Sequence, residues 1–280
     1  MTTLFVEHLT VLDSSHLDAE RGLVGESWIV DVELDAPLDE DGMVLDFGVA
    51  KPALKQAFDA LADHRLIVPR RAPALRRCEC DEAGRWALSF ESDRGPIDYQ
   101  APAEALCLLD AETVNEAALR QRLEAAARAV LPGRIRGLRV DLRHEAIAGA
   151  WYRYTHGLRR HRGNCQRLCH GHRSRLEILR DGERDETLEA QWARRWRDIV
   201  LVTRSDLLEA AGGRWHVGYT AAQGRFDLWL PETHCELLEH ETTVEHIAEH
   251  IADTLKQQAP ARRFEVRAYE GLHKGAIARR

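Results

Sequence analysis

One order of landmarks occurs twice along this chain. Gly84-Arg85-Trp86 recurs as Gly213-Arg214-Trp215. Each is followed by a proline, a cysteine and a leucine pair: Pro102, Cys107 and Leu108-Leu109, then Pro231, Cys235 and Leu237-Leu238. Thr113-Val114 and Thr243-Val244 each open a helical pattern that closes near a proline, Pro132 or Pro260. Each pattern is followed by a strand-like run that reaches a glutamate, Glu145 or Glu270. A chain of 280 residues is long enough for two cores of roughly 140 residues each. The repeat predicts two copies of one unit, residues 1–147 and 148–280, with the join near 146–150.

Periodicity gives the content of a copy. Leu4 to Leu12 and Ser27 to Leu34 read as paired strands. Asp46-Phe47 precedes a helix over Ala50 to Ala62, with Leu54, Phe58 and Leu61 on one face. Trp86 to Ser92 and Ile97 to Tyr99, split by Asp93-Arg94-Gly95-Pro96, read as a hairpin, Val114 to Ala129 as a second helix, and Leu138 to Leu142 as a returning strand. The expected class is α+β: per copy, an antiparallel four-stranded sheet with two helices on one face plus an inserted hairpin.

The chemistry concentrates in Gly163-Asn164-Cys165-Gln166-Arg167-Leu168-Cys169-His170-Gly171-His172. If His170 opens a strand, His170 and His172 point to the same face, because side chains alternate along a strand. Two imidazoles are half of a tetrahedral zinc site, and a catalytic site takes three protein ligands with the fourth position open. His156 can supply the third from an antiparallel neighbour about 5 Å away. A second arrangement uses the same stretch: Cys165, Cys169, His170 and His172 could close a Cys2His2 structural knot unaided. His246-Ile247-Ala248-Glu249-His250 also fits the inverted zincin pattern, but in a polar, histidine-rich segment such a match arises easily.

A net charge of −7 gives no reason to expect a nucleic-acid partner. The six arginines between Arg159 and Arg175 form one basic cluster, suited either to a solvated loop or to attracting a small anion such as a triphosphate. No apolar run approaches the roughly 18 residues of a membrane span, and the first residues lack a leader pattern, so a cytoplasmic protein with no membrane partner is expected. Six scattered cysteines do not suit a disulfide framework.

Residues 150–178, with Thr155-His156-Gly157-Leu158, the loop through Gly163-Asn164-Cys165 and then His170-Gly171-His172, resemble the zinc signature of the 6-pyruvoyl-tetrahydropterin synthase and 6-carboxy-tetrahydropterin synthase family. A second resemblance lies in the first copy, where Gly42 to Phe47 is followed by a helix and then Leu61-Ala62-Asp63-His64-Arg65-Leu66. The resemblance implies tandem T-fold domains and a Zn2+ ion held by His156, His170 and His172. It further implies Cys165 as the base, Asp63 and His64 as a relay from a neighbouring unit, and a small-molecule pterin triphosphate as substrate. Glu270, also linked to the relay, and Glu245 are its candidates for anchoring the pterin, with Thr243 beside Glu245 at a matching helix start. It also implies a homo-oligomer. The family's reaction is a lyase-type step on 7,8-dihydroneopterin triphosphate, of either the pyruvoyl or the carboxy type.

The two copies depart from that pattern in opposite places. Copy one has Val24-Gly25-Glu26 where copy two has His170-Gly171-His172, keeping only His16 of the ligand set, whereas copy two has Arg197-Asp198 where copy one has Asp63-His64. The expectation is one composite site per chain, with metal and cysteine from the second copy and the relay from the first. The rival expectation is a non-catalytic zinc protein built on the Cys2His2 knot.

Overall fold

A computed structural model describes residues 1–280. The first half runs β1 (Thr2–Asp18), β2 (Gly22–Ala36), α1 (Phe47–Ala62), β3 (Leu66–Pro69), β4 (Leu75–Cys80), β5 (Arg85–Ser92), β6 (Gly95–Pro102), β7 (Leu106–Leu109), α2 (Glu116–Val130) and β8 (Gly137–Arg143). The second half runs β9 (Trp151–His156), β10 (His170–Arg180), β11 (Glu183–Arg184), α3 (Glu186–Arg195), β12 (Arg197–Thr203), β13 (Leu207–Ala211), β14 (Arg214–Ala221), β15 (Gly224–Pro231), β16 (Cys235–Leu238), α4 (Val244–Gln258), β17 (Phe264–Tyr269) and β18 (Gly275–Arg279). Apart from β11 and β18, the second succession repeats the first. No helix is long and apolar enough to cross a membrane.

The fold is mixed α+β, but the sheets are larger than four antiparallel strands. The first sheet has the order β7-β3-β1-β2-β8 and the second β16-β12-β9-β10-β17-β18, with β11 added on β10. The extra strands β3, β7, β12 and β16 pair in parallel. Buried parallel strands are continuous apolar runs, not alternating ones, and the fully buried Leu66–Pro69 is of that kind, so a period of two does not reveal it. The inserted hairpin is likewise a three-stranded meander. The two meanders join through β6 and β15, with Tyr99 opposite Leu228, into a third sheet, β13-β14-β15-β6-β5-β4, that bridges the halves.

Each helix pair covers one face of its own sheet. Leu54 and Phe58 of α1 and Leu119 and Leu123 of α2 pack with Leu12, Val30 and Val140. Ile247 and Ile251 of α4 and Trp192 of α3 pack with Tyr152, Leu176 and Val266. Side-chain caps start the helices: Asp46 accepts from the Gly48 amide at 2.6 Å, Asn115 from Ala118 at 3.0 Å, and Thr243 from His246 at 3.5 Å.

The other sheet faces meet each other around two glycines. A Cβ on Gly25 would be driven into the Tyr154 carbonyl and come 2.9 Å from the His172 amide nitrogen. One on Gly171 would come 2.6 Å from Gly25 Cα. Beside them, Ser15 Oγ and Thr155 Oγ1 share a buried hydrogen bond of 2.7 Å. Backbone therefore approaches backbone, and side chains from one half reach the loops of the other.

Candidate active site

The three histidines come together through one strand pair. In the antiparallel register of β9 and β10, His156 lies opposite His170 and Tyr154 opposite His172. All three imidazoles are buried, and one nitrogen from each lies within 4.8 Å of the others. His156 Nε2 and His172 Nε2 are 3.2 Å apart. Tetrahedral Zn–N bonds of about 2.0–2.1 Å place two ligand nitrogens about 3.3 Å apart, so this separation fits a shared cation.

The opposite ring nitrogens are held by oxygens. His170 Nδ1 lies 2.8 Å from the Arg167 carbonyl, and His156 Nδ1 lies 3.0 Å from both the carbonyl and the hydroxyl of Thr242. His172 Nδ1 lies 3.2 Å from Asp13 Oδ1, within ion-pair reach but off good hydrogen-bond alignment. Such acceptors fix the tautomer that leaves Nε2 free for a metal. Burial, with the neighbouring imidazoles adding to it, pushes His156 and His170 well below the usual histidine range, which keeps them neutral as ligands must be. Neither Asp13 nor Thr242 stood out in the sequence: each lies beside a more conspicuous residue, and only folding brings it to an imidazole.

Cys165 sits on a short 3-10 turn, Asn164–Gln166, in the loop between β9 and β10. Gln223, at the turn between β14 and β15, clamps that loop. Its amide donates to Gln166 Oε1 at 2.7 Å and its Nε2 donates to Asn164 Oδ1 at 2.9 Å. Tyr219 donates to the Gln166 carbonyl at 3.0 Å. Cys165 Sγ is thereby held 3.2 Å from His64 Nε2, which comes from the other half of the chain.

Asp63 and His64 face each other despite being neighbours in sequence. His64 takes a left-handed backbone conformation, φ 52°, which turns its ring back toward the preceding carboxylate. Its Nδ1 then lies 2.6 Å from Asp63 Oδ2. The pair is docked on β1: the Asp13 amide donates to Asp63 Oδ1 at 2.9 Å, and the His64 amide donates to the Asp13 carbonyl at 2.8 Å. Burial opposes charge on His64, but hydrogen bonds to Asp63 and Cys165 outweigh it and raise the imidazole to about 10. Asp13 is buried, which favours its neutral acid, yet His172, Ser27 and Lys274 together bring it down to about 2.

A cavity of about 400 Å³ opens beside the Asp63–His64 pair, between β1 and the C-terminal segment, lined among others by Thr10, Asp13, Lys55, Asp63, His64 and Lys274. Glu270 lies just past β17, near that opening, with Lys274 Nζ 3.3 Å away. Glu245 is exposed on the first turn of α4 and does not line the cavity, and Thr243 is spent as the cap of that helix.

Two expectations require correction. Cys169 does not reach the histidines: it has φ 71° and packs in the apolar cluster with Leu168, Val200 and Val217, so Cys165, Cys169, His170 and His172 do not converge as a knot. The thiol that does approach the imidazoles is Cys165, within a His64, Cys165, His170 group. The arginine cluster is dispersed as well. Arg159 pairs with Asp206 at 2.9 Å, whereas Arg173 donates to the Glu145 carbonyl at 2.8 Å and Arg175 lies 4.3 Å from the Tyr269 ring.

Residues 9–130 match the family model of 6-pyruvoyl tetrahydropterin synthase. Among solved structures, 6-pyruvoyltetrahydropterin synthase from Plasmodium vivax is similar at 18% identity, covering 51% of this chain and 97% of that one, with a TM-score of 0.37. The Plasmodium falciparum 6-pyruvoyl tetrahydropterin synthase is similar at 18% identity, covering 51% of this chain and 98% of that one, also with a TM-score of 0.37. No curated protein matches.

Proposed function

We propose, for a chain whose residues 9–130 match the 6-pyruvoyl tetrahydropterin synthase family model, a lyase-type reaction on 7,8-dihydroneopterin triphosphate at a site shared by its two halves. The observation that carries this reading is the 3.2 Å contact of Cys165 Sγ with His64 Nε2, beside three convergent histidines. His156, His170 and His172 would hold Zn2+. When bound, the ion would polarise a side-chain oxygen of the substrate and acidify the adjacent C–H.

The chain's own groups divide the remaining work. Cys165 takes the carbon-bound proton at its sulfur and returns it. His64, as an imidazolium opposite that sulfur, is the arrangement in which thiolates serve as bases, and Asp63 holds its Nδ1 proton and its orientation. Asp13 and Thr242 keep His172 and His156 turned toward the metal position. Glu270 is the pterin anchor in this reading, because a carboxylate accepts two hydrogen bonds side by side from a ring N–H and an amino group. Lys55 and Lys274 line the cavity and would pair with the substrate's phosphates. A homo-oligomer is expected, since β8 and β18 leave free sheet edges that another copy can cover.

The test is metal content measured together with turnover of dihydroneopterin triphosphate, in the wild type, Cys165→Ala and His156→Ala. One zinc per chain in the wild type, turnover lost but zinc kept in Cys165→Ala, and zinc lost in His156→Ala is the expected pattern. Full turnover in Cys165→Ala would sink the assignment. Analysis of the products distinguishes triphosphate elimination from loss of side-chain carbons.

A further inference from the structure

The strand registers equate positions of the two halves. His16 opposite Val24 in β1 and β2 corresponds to His156 opposite His170 in β9 and β10. Ser15 beside Leu66 likewise corresponds to Thr155 beside Val200. By the same offsets Asp13 corresponds to Arg153, Asp63 to Arg197 and His64 to Asp198, and His64 and Asp198 share the left-handed backbone, φ 52° and 57°. The cavity beside the relay therefore has a counterpart in the other half. It measures about 390 Å³, and Arg21, Trp151, Arg153, Arg194, Arg197 and Asp198 line it.

Its charge is inverted. Two carboxylates of the first cavity, Asp13 and Asp63, are replaced by the guanidinium groups of Arg153 and Arg197. The metal position is gone too, since Val24 and Glu26 stand where His170 and His172 stand in the other half. Asp198 is buried and accepts from Arg21 Nε at 3.0 Å, with Arg94 3.6 Å and Arg197 3.9 Å away. Glu26 accepts from Arg153 Nε at 2.9 Å, and His144 lies 3.2 Å from it. Arg194 makes no ion pair, and Glu189 of the same helix is held by two bonds from Arg184 at 2.9 and 3.0 Å. Arg153 and Arg173 lie 4.6 and 4.2 Å from the Trp151 ring, which fixes both guanidinium groups in place. In the lining, Arg21, Arg153, Arg194 and Arg197 surround Asp198, with Glu26 and Asp18 close to them and Arg94 behind Asp198, so five guanidinium groups meet three carboxylates and positive charge is in surplus.

We propose that this second cavity binds a small phosphate-bearing anion. Guanidinium groups present planar forks that match phosphoryl oxygens in pairs, and a recess whose charge is mainly positive favours an anion inside it. A recess of this size suits a small polyphosphate, and the overall charge of −7 argues against a nucleic-acid strand. The inference does not depend on the reaction proposed above.

The test is calorimetric titration of the full chain with inorganic triphosphate, for the wild type, R194A/R197A and R160A/R162A. All four arginines are exposed, so neither pair of substitutions disturbs the core. Saturable binding that weakens by about tenfold or more in R194A/R197A, and is unchanged in R160A/R162A in the loop between β9 and β10, is the expected result. Absence of saturable binding in the wild type, equal affinity in R194A/R197A, or a loss in R160A/R162A would each overturn it.

Discussion

Cys165 Sγ lies 3.2 Å from His64 Nε2, although 101 residues separate them along the chain and they belong to different halves. In the reaction proposed above this thiol and imidazole act as a proton-transfer pair, with the Asp63 carboxylate on the far ring nitrogen fixing the direction of transfer. His64→Gln keeps a polar side chain but cannot take up a proton. Turnover should fall by about 10²–10⁴-fold, the range of general acid–base assistance, while zinc content stays as in the wild type. Wild-type turnover in this variant would reduce the first half to a scaffold.

Asp13 acts one step behind a proposed metal ligand. Its carboxylate lies 3.2 Å from His172 Nδ1 and accepts from Ser27 Oγ at 2.5 Å. Asp13→Asn retains the shape and removes the charge that favours the required ring orientation. Removing such supporting groups costs about 10–100-fold in metal affinity. Chelator competition on Asp13→Asn should show a loss in that range, and an unchanged affinity would mean that packing alone orients His172.

The contact between halves makes Gly25 intolerant of any side chain. A methyl there meets the Tyr154 carbonyl and the His172 amide, both backbone atoms that cannot rotate away. Gly25→Ala should cost about 2–3 kcal/mol and lower the melting temperature of this 280-residue chain by roughly 5 °C. The displacement should pass to β9 and β10, so zinc affinity should fall with stability. A variant that melts like the wild type would show that the two sheets can part without cost.

His16, buried in β1, carries a pH signature. Burial lowers its pKa to about 4 from an ordinary 6.5, and its Nδ1 has no partner. The unfolded chain therefore binds this proton first. Stability is unaffected by His16 above pH 6.5 and declines as pH falls from 6.5 toward 4, by at most ~3 kcal/mol. His16→Leu should flatten that part of the stability curve, measured by denaturant unfolding between pH 4 and 7 against the wild type. Parallel curves for the two proteins would show that His16 gains a proton as readily folded as unfolded.

Local pattern carried much of this chain. The period of 3.6 gave Leu54 and Phe58 their buried face in α1, and the period of two placed His170 and His172 on one side of a strand, because these patterns depend only on neighbours along the sequence. Short buried parallel strands such as Leu66–Pro69 escaped, since a continuous apolar run of four residues has no period to detect.

What only the tertiary structure decided is which thiol meets which imidazole. Cys165 and Cys169 both stand next to the histidine pair in sequence, with Cys165 the base that the resemblance implied; the left-handed turn at Cys169 sends that thiol into the core, while the Gln223 clamp holds Cys165 against His64. Asp13 and Thr242 became supports of the histidines, and Arg153, Arg194 and Arg197 became one cavity wall, through pairings between distant segments. Side-chain convergence of that kind follows from how the sheets stack and where backbones touch at Gly25 and Gly171, a long-range property that no window of the sequence contains.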